Sequence, residues 1–174
     1  MTRYTVFSAS NREDNKTQYF AALCSNLLNE MHIDHQVFNL EQLPANIGSA
    51  DVYDYDNSPV AGIVEKYLDP VDKLIFILPE YNGSFPGILK LFIDAVKPQH
   101  FRGKKAALIG VSSGRSGNIR GMDHLMGILN YVKVNVYHHK LAISGIDKLV
   151  GDGDITDADT IRRMRDQLEG FTKF

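Results

Sequence analysis

One cysteine, Cys24, stands among the 174 residues of the chain, so no internal disulfide can form and a disulfide-stapled secreted scaffold is excluded. Zinc is excluded with it, because no Cys or His group has ligand spacing. His138 and His139 are adjacent and point to opposite faces of a strand, and His32 and His35 flank a strand start. A calcium loop begins to form at Asp152-Gly153-Asp154 but fails where glycine and a bidentate carboxylate are required, since Asp157 and Arg163 stand there. No metal site is expected. The chain also lacks strong charge of either sign, with a formal net charge of -2 and no Lys/Arg run, which gives nucleic acid nothing to bind. No apolar run approaches the ~18 residues of a membrane span. The start, Met1-Thr2-Arg3-Tyr4-Thr5-Val6-Phe7, has no signal-peptide core, so the expected compartment is the cytoplasm. There is no internal repeat, and the length suits one domain spanning residues 1–174.

What the chain does have is alternation of apolar strands and amphipathic helices. Tyr4 to Ser8 reads as a strand, followed by a helix whose stripe is Phe20, Leu23, Cys24, Leu27, Leu28 and Met31. Cys24 lies within that stripe and reads as a core thiol. Ile33 to Leu40 is a second strand with Val37, Phe38 and Leu40 as its apolar members. An acidic, tyrosine-bearing connection follows from Pro44 to Ser58, where Asp51, Tyr53 and Tyr55 stand; its composition suits a solvated loop, an aromatic lid or a dimer contact. Val60, Ile63, Val64, Tyr67 and Leu68 mark a second helix. Leu74 to Leu78 is continuously hydrophobic, as a strand covered on both faces must be. A helix led by Pro86 carries Ile88, Leu89, Phe92, Ala95 and Val96.

Ala106 to Val111 forms a fourth strand, and Ile119, Met122, Met126 and Leu129 the next helix. Val132, Val134 and Val136 alternate as an edge strand, with Leu141 to Ile143 resuming it after a break. Thr156 with Asp159 has the look of a helix cap, and Ile161, Met164, Leu168 and Phe171 carry the last helix. Five strands alternating with five helices predict an α/β three-layer sandwich around a five-stranded parallel sheet of order 2-1-3-4-5. In that order the loops after strands 1, 3 and 4 converge at one sheet edge, and a ligand belongs there.

Those loops are polar and carry specific chemistry. The first, from Ser8 through Ser10, Arg12, Asn15, Lys16 and Thr17, precedes a helix N-terminus, where free N–H groups and the dipole favour an anion such as a phosphate monoester. The same residues also suit a plain helix cap by Asn15 or Thr17 with Arg12 in solvent. The glycines of a dinucleotide fingerprint or a P-loop are missing. In the second loop, Pro79-Glu80-Tyr81-Asn82-Gly83-Ser84, the Asn-Gly pair tolerates positive φ, and its backbone N–H groups suit the heteroatom edge of a planar ring. In the third, Ser112-Ser113-Gly114-Arg115-Ser116-Gly117, the glycines allow close backbone approach to a flat ligand and Arg115 faces an anion.

Pro79 to Ser84, then Pro86-Gly87, Leu89-Lys90 and Ile93-Asp94, together resemble the signature of the flavodoxin-like NADPH-dependent FMN reductases, a family that includes azo, quinone and chromate reductases. The Ser10-x-Arg12 step is similar to the family's phosphate loop, Gly103-Lys104-Lys105 to its entry into strand 4, and Ser113 to Gly117 to its third flavin loop. The chain departs from the pattern at Ala9, where glycine is usual, at Asn15, where serine is common, and at Asp94-Ala95-Val96, where tryptophan ends the helix. The resemblance implies FMN held non-covalently, with its phosphate on the first loop and its ring against the other two. NADPH or NADH would deliver hydride to the flavin and leave before a small acceptor, such as a quinone, azo compound, metal oxyanion or free flavin, takes its place. No side chain is assigned a catalytic role. A homodimer or homotetramer is implied as well.

Two other functions fit parts of the sequence. Gly110-Val111-Ser112-Ser113-Gly114 satisfies G-x-S-x-G, with Asp123 and His124 or His138 downstream, which suits a serine hydrolase with Ser112 as nucleophile. Against it, Arg115 to Asn118 prolongs the loop where a nucleophile elbow enters its helix directly. A flavodoxin-like electron carrier needs the same fold, but such carriers tend to be strongly acidic and this chain is not. A response regulator needs an aspartate pair where Ser8 stands.

Overall fold

A computed structural model describes residues 3–48 and 54–174. Strands β1 (Tyr4–Ser8), β2 (His35–Asn39), β3 (Lys73–Pro79) and β4 (Lys105–Ser112) pair in parallel, in the order β2-β1-β3-β4. Tyr4 lies opposite both His35 and Lys73, and Lys73 opposite Lys105, so the strands start level and their C-terminal ends finish along one edge. The fifth position is filled by two short pieces, β5 (Asn135–Val136) and β6 (Leu141–Ser144), each paired in parallel with β4. The sheet therefore has the expected order, with its last strand broken where expected. The break is wider than the valine alternation suggests. Val132 and Val134 belong to the turn after the preceding helix, where they are buried, and Lys133 between them takes φ 66°.

Helices cover both faces. α1 (Thr17–Glu30) and α5 (Ala158–Lys173) pack on one side, while α2 (Ala61–Tyr67), α3 (Gly87–Asp94) and α4 (Ile119–Tyr131) pack on the other. All seven residues of β3 are buried, which is why its sequence reads as an unbroken apolar run. The second face is organised by Phe7. Its ring stacks on Phe76 at 4.9 Å between centroids and meets Phe38 at 5.9 Å and Phe92 at 6.0 Å. Cys24 is fully buried under α1, and burial pushes its thiol up to about 12, so it stays protonated and inert. Lys73 bonds the carbonyls of Phe171 and Thr172 at 2.8 and 3.1 Å, capping the last turn of α5. Desolvation, with Lys105 nearby, lowers its pKa.

Several local expectations are corrected. β2 is an edge strand, so only Phe38 of its residues is buried and Val37 stays 37% exposed. Ile119, at the start of α4, is 51% exposed because the helix has not yet met the sheet. The N-cap of α5 is Asp157, whose carboxylate accepts the Thr160 N–H at 2.8 Å, and not Thr156. An unexpected hairpin, β7 (Val150–Gly151) with β8 (Asp154–Ile155), turns at Asp152 (φ 49°) and Gly153 (φ 82°). Asp-Gly is the type I′ signal, hidden in the sequence by the short strands around it. In the connection from 44 to 58, Tyr55 opens a 3₁₀ turn capped by Asp54, while Asp51 and Tyr53 lie outside the described residues. Replacing Phe7 by Ala should cost about 3–5 kcal/mol in urea unfolding, with the β1 loop losing its fixed base.

Candidate active site

The chain leaves β1 toward the α1 face and β3 toward the α3 face, so the strand ends part and a cleft opens between them. It has a volume of about 320 Å³ and is walled by residues 12–17, Pro79 to Tyr81 and Val111 to Ser113. Three expected loops thus meet in one place, joined by a fourth segment, Ile146 and Asp147.

In the first loop, the N–H groups of Glu13, Asp14, Lys16 and Thr17 have no hydrogen-bond partner among the described residues, while Asn15 closes a turn onto Arg12. That leaves donors at the positive end of α1, the arrangement that binds an oxyanion. Asn15 is spent on the loop itself. Its amide nitrogen donates to the Arg12 carbonyl at 2.7 Å and to Glu41, and its oxygen accepts the Gln18 N–H at 3.2 Å, so the capping role holds for this residue. Lys16 reaches across the cleft to Asp147 at 2.5 Å. Arg12 lies over the Tyr81 ring at 5.4 Å. Thr17 is buried at the helix start, and Ser10 is fully buried with its hydroxyl 2.6 Å from the Tyr81 hydroxyl. Ser8 is also buried, but it lines a separate groove between α1 and β2, and its hydroxyl has no partner among the described residues.

The second loop is a tight hairpin. Tyr81 and Ser84 exchange backbone hydrogen bonds at 2.9 and 3.1 Å, with Asn82 at φ 52° and Gly83 at φ 77°, a type I′ turn. Pro79 ends β3. Glu80 accepts the Ser116 hydroxyl at 2.5 Å, and the Ser84 hydroxyl is 2.9 Å from His124 Nδ1. In the third loop the two glycines separate in role. Gly114 has open space around it, whereas Gly117 is buried and a Cβ there would meet Ala142 and Ile143 at 2.7 Å. Gly117 therefore serves packing against β6, not approach to a ligand. Ser113 lines the cleft together with Asp147, and Arg115 is exposed.

Sequence reasoning missed three participants. Asp147 arrives from the turn after β6, and hydrogen bonds from Lys16 and then Ser113 hold its carboxyl below the ordinary carboxylate range. Asn118 takes φ 61°, is fully buried, and donates to the carbonyls of Leu78 at 3.2 Å and Pro79 at 2.9 Å, tying the end of β3 to the start of α4. Its signal was available, since asparagine is favoured where a non-glycine residue must be left-handed. Gly110 was overlooked within its strand. A Cβ there would meet the Gly117 carbonyl at 2.2 Å, so the third loop can fold back over β4 only because that Cβ is absent.

The model of the NADPH-dependent FMN reductase family matches residues 2–147. The chain belongs to that family. It is an oxidoreductase family in which FMN is the cofactor and a reduced nicotinamide the donor. An NAD(P)H-dependent FMN reductase of Pseudomonas aeruginosa is 40% identical over 88 residues, 49% of this chain and 48% of that protein, so the match spans about half of that relative. A 2-hydroxy-1,4-benzoquinone reductase from a Burkholderia species is 29% identical over 68% of each chain. Among solved structures, FerB, a flavoenzyme NAD(P)H:(acceptor) oxidoreductase from Paracoccus denitrificans, superposes with a TM-score of 0.80 at 22% identity, over 99% of this chain and 96% of its own. That likeness shows the flavodoxin-like fold.

The hydrolase alternative is corrected by the reductase site itself. Ser112 donates to the Gly114 carbonyl at 3.0 Å and accepts the Gly117 N–H at 3.0 Å, which makes it a brace within the loop. The groups it would need are engaged elsewhere: His124 with Ser84, His138 against the Tyr137 ring, and Asp123 with Lys140. No helix among the described residues is long and apolar enough to cross a membrane. Gly110→Ala should lower the melting temperature by about 4 °C or more, while Gly114→Ala should leave it within about 1 °C; differential scanning fluorimetry separates the two.

Proposed function

We propose that residues 1–174 form one domain that binds FMN non-covalently and uses NADPH or NADH to reduce a small acceptor. One observation carries this reading: unbonded N–H groups at Glu13, Asp14, Lys16 and Thr17, among the described residues, open onto a cleft that the three polar loops enclose. The donor set fits a phosphate monoester, with Arg12 and Lys16 supplying charge and Ser10 the loop's shape. We assign Pro79 to Ser84, with Ser112 to Arg115, to the ring. Ser8 and Gly117 support the cleft from behind.

When bound, FMN supplies a ring able to accept hydride from a nicotinamide and to pass electrons onward. The protein's part is to hold and orient. Tyr81 is fixed at its hydroxyl by Ser10 and at its backbone by the type I′ turn, so it presents one ring face to the cleft. Glu80 is held by Ser116, which ties the second loop to the third. No side chain is assigned as acid or base. A quinone is the favoured acceptor class, on the strength of the Burkholderia relative's name, and the proposed compartment is the cytoplasm.

Titration with FMN and riboflavin tests the placement. Arg12→Ala should weaken FMN about tenfold and leave riboflavin unchanged; equal losses would move the phosphate elsewhere. Failure of the protein to bind either flavin would reject the function. We also propose a homodimer or homotetramer in which a second copy covers the groove between α3 and α4. This groove is lined by Ile93, Ile128 and Tyr131 and has a volume of about 560 Å³. Tyr131 is 83% exposed there, beside the apolar side chains of the groove. Sedimentation should give a multiple of 19.5 kDa, and Tyr131→Glu should shift it toward the monomer.

A further inference from the structure

Lys16 stands immediately before α1, and its N–H group is one of the four that lack partners among the described residues, yet its ammonium is not left to an incoming anion. It pairs with Asp147, 131 residues later in the chain. Asp147 does not reach the cleft by chance of side-chain rotation. It sits in a 3₁₀ turn, Ile146–Lys148, that begins at Gly145 with φ 65°. The Gly145 N–H donates to the Gly114 carbonyl at 3.2 Å, and Ile146 is buried in the core shared by α1 and α5. The backbone thus places Asp147 at the wall of the cleft, which Ser113 from the third loop also lines.

The pair has little to offer the fold. The side chains of Lys16 and Asp147 are 38% and 56% exposed, and ion pairs this open to solvent contribute almost nothing to stability. Its effect falls on the cleft instead. Of the residues that line it, Glu13, Asp14, Glu80 and Asp147 are acidic, and Arg12 and Lys16 are basic. Such a wall is not built to hold a dianion as tightly as its N–H groups allow. An arriving phosphate must take Lys16 away from Asp147, and the carboxylate then remains beside it.

We infer that Asp147 is a specificity-determining residue that lowers the affinity of the cleft for a phosphate-bearing flavin relative to a neutral one, so that FMN is held exchangeably. The inference rests on the flavin reading above. It differs from a positioning role, in which Asp147 would align Lys16 for the phosphate and its loss would weaken FMN.

Dissociation constants for FMN and riboflavin, measured by flavin fluorescence on the wild-type protein and D147N, decide between them. D147N is expected to tighten FMN about threefold to tenfold and to move riboflavin by less than about twofold, with the FMN gain shrinking in high salt. K16M should weaken FMN more in the D147N background than in the wild type, since only there is the ammonium already released. Weaker FMN binding in D147N, or an unchanged ratio of FMN to riboflavin, overturns the inference while leaving the flavin site standing. Absence of binding of either flavin to both proteins overturns the inference together with the proposed function.

Discussion

A sheet that is buried on both faces is the constraint on which the molecule rests. Its strands must be apolar throughout, and its crossovers must supply helices to both sides. The crossover from β1 takes one face and that from β3 the other. Neighbouring strands whose chains depart in opposite directions leave a gap at their C-terminal ends. Residues 12–17, Pro79 to Tyr81 and Val111 to Ser113 are brought together at that gap, and the loops add chemistry to a position the topology has already chosen.

Around the gap runs a chain of polar contacts. Ser10 joins the first loop to the second through Tyr81, Glu80 joins the second to the third through Ser116, and Asp147 ties the turn after β6 to the first loop through Lys16. Bonds of this kind each contribute about 0.5–1.5 kcal/mol net, far less than the aromatic cluster of Phe7, Phe38, Phe76 and Phe92 below them. The division is useful. The core holds the strand ends in place, so the rim can be adjusted in charge and shape with little effect on folding. Asn118 and Gly110 connect the two levels, one by bonding the end of β3 and the other by leaving room for the third loop.

The Ser112 hydroxyl illustrates how a motif is settled by its surroundings. G-x-S-x-G describes spacing, and spacing alone does not say whether a hydroxyl faces a histidine or its own loop. Here the left-handed turn at Gly117 and Asn118 curls the backbone over the hydroxyl, and both of its hydrogen-bonding roles are used within six residues. Gly117 changes its meaning for the same reason. Its freedom from a side chain is used against Ala142, out of reach of the cleft.

Local patterning by itself determined the four long strands, the five helices and the three polar loops. These follow from hydrophobic period and turn chemistry, which act over a few residues and are written into neighbouring positions. The Asn-Gly turn at Asn82 and the helix start at Asn15 belong to the same class. Only the tertiary structure decided that Asp147 would meet Lys16, that Gly110 would lie under the Gly117 carbonyl, and that Asn118 would reach Leu78 and Pro79. The first and the last of these join residues distant in the chain, and the second depends on how the loop after β4 folds back over its own strand. A carboxylate in a surface turn looks the same in any sequence; what gives Asp147 its significance is the cation that the fold brings to meet it.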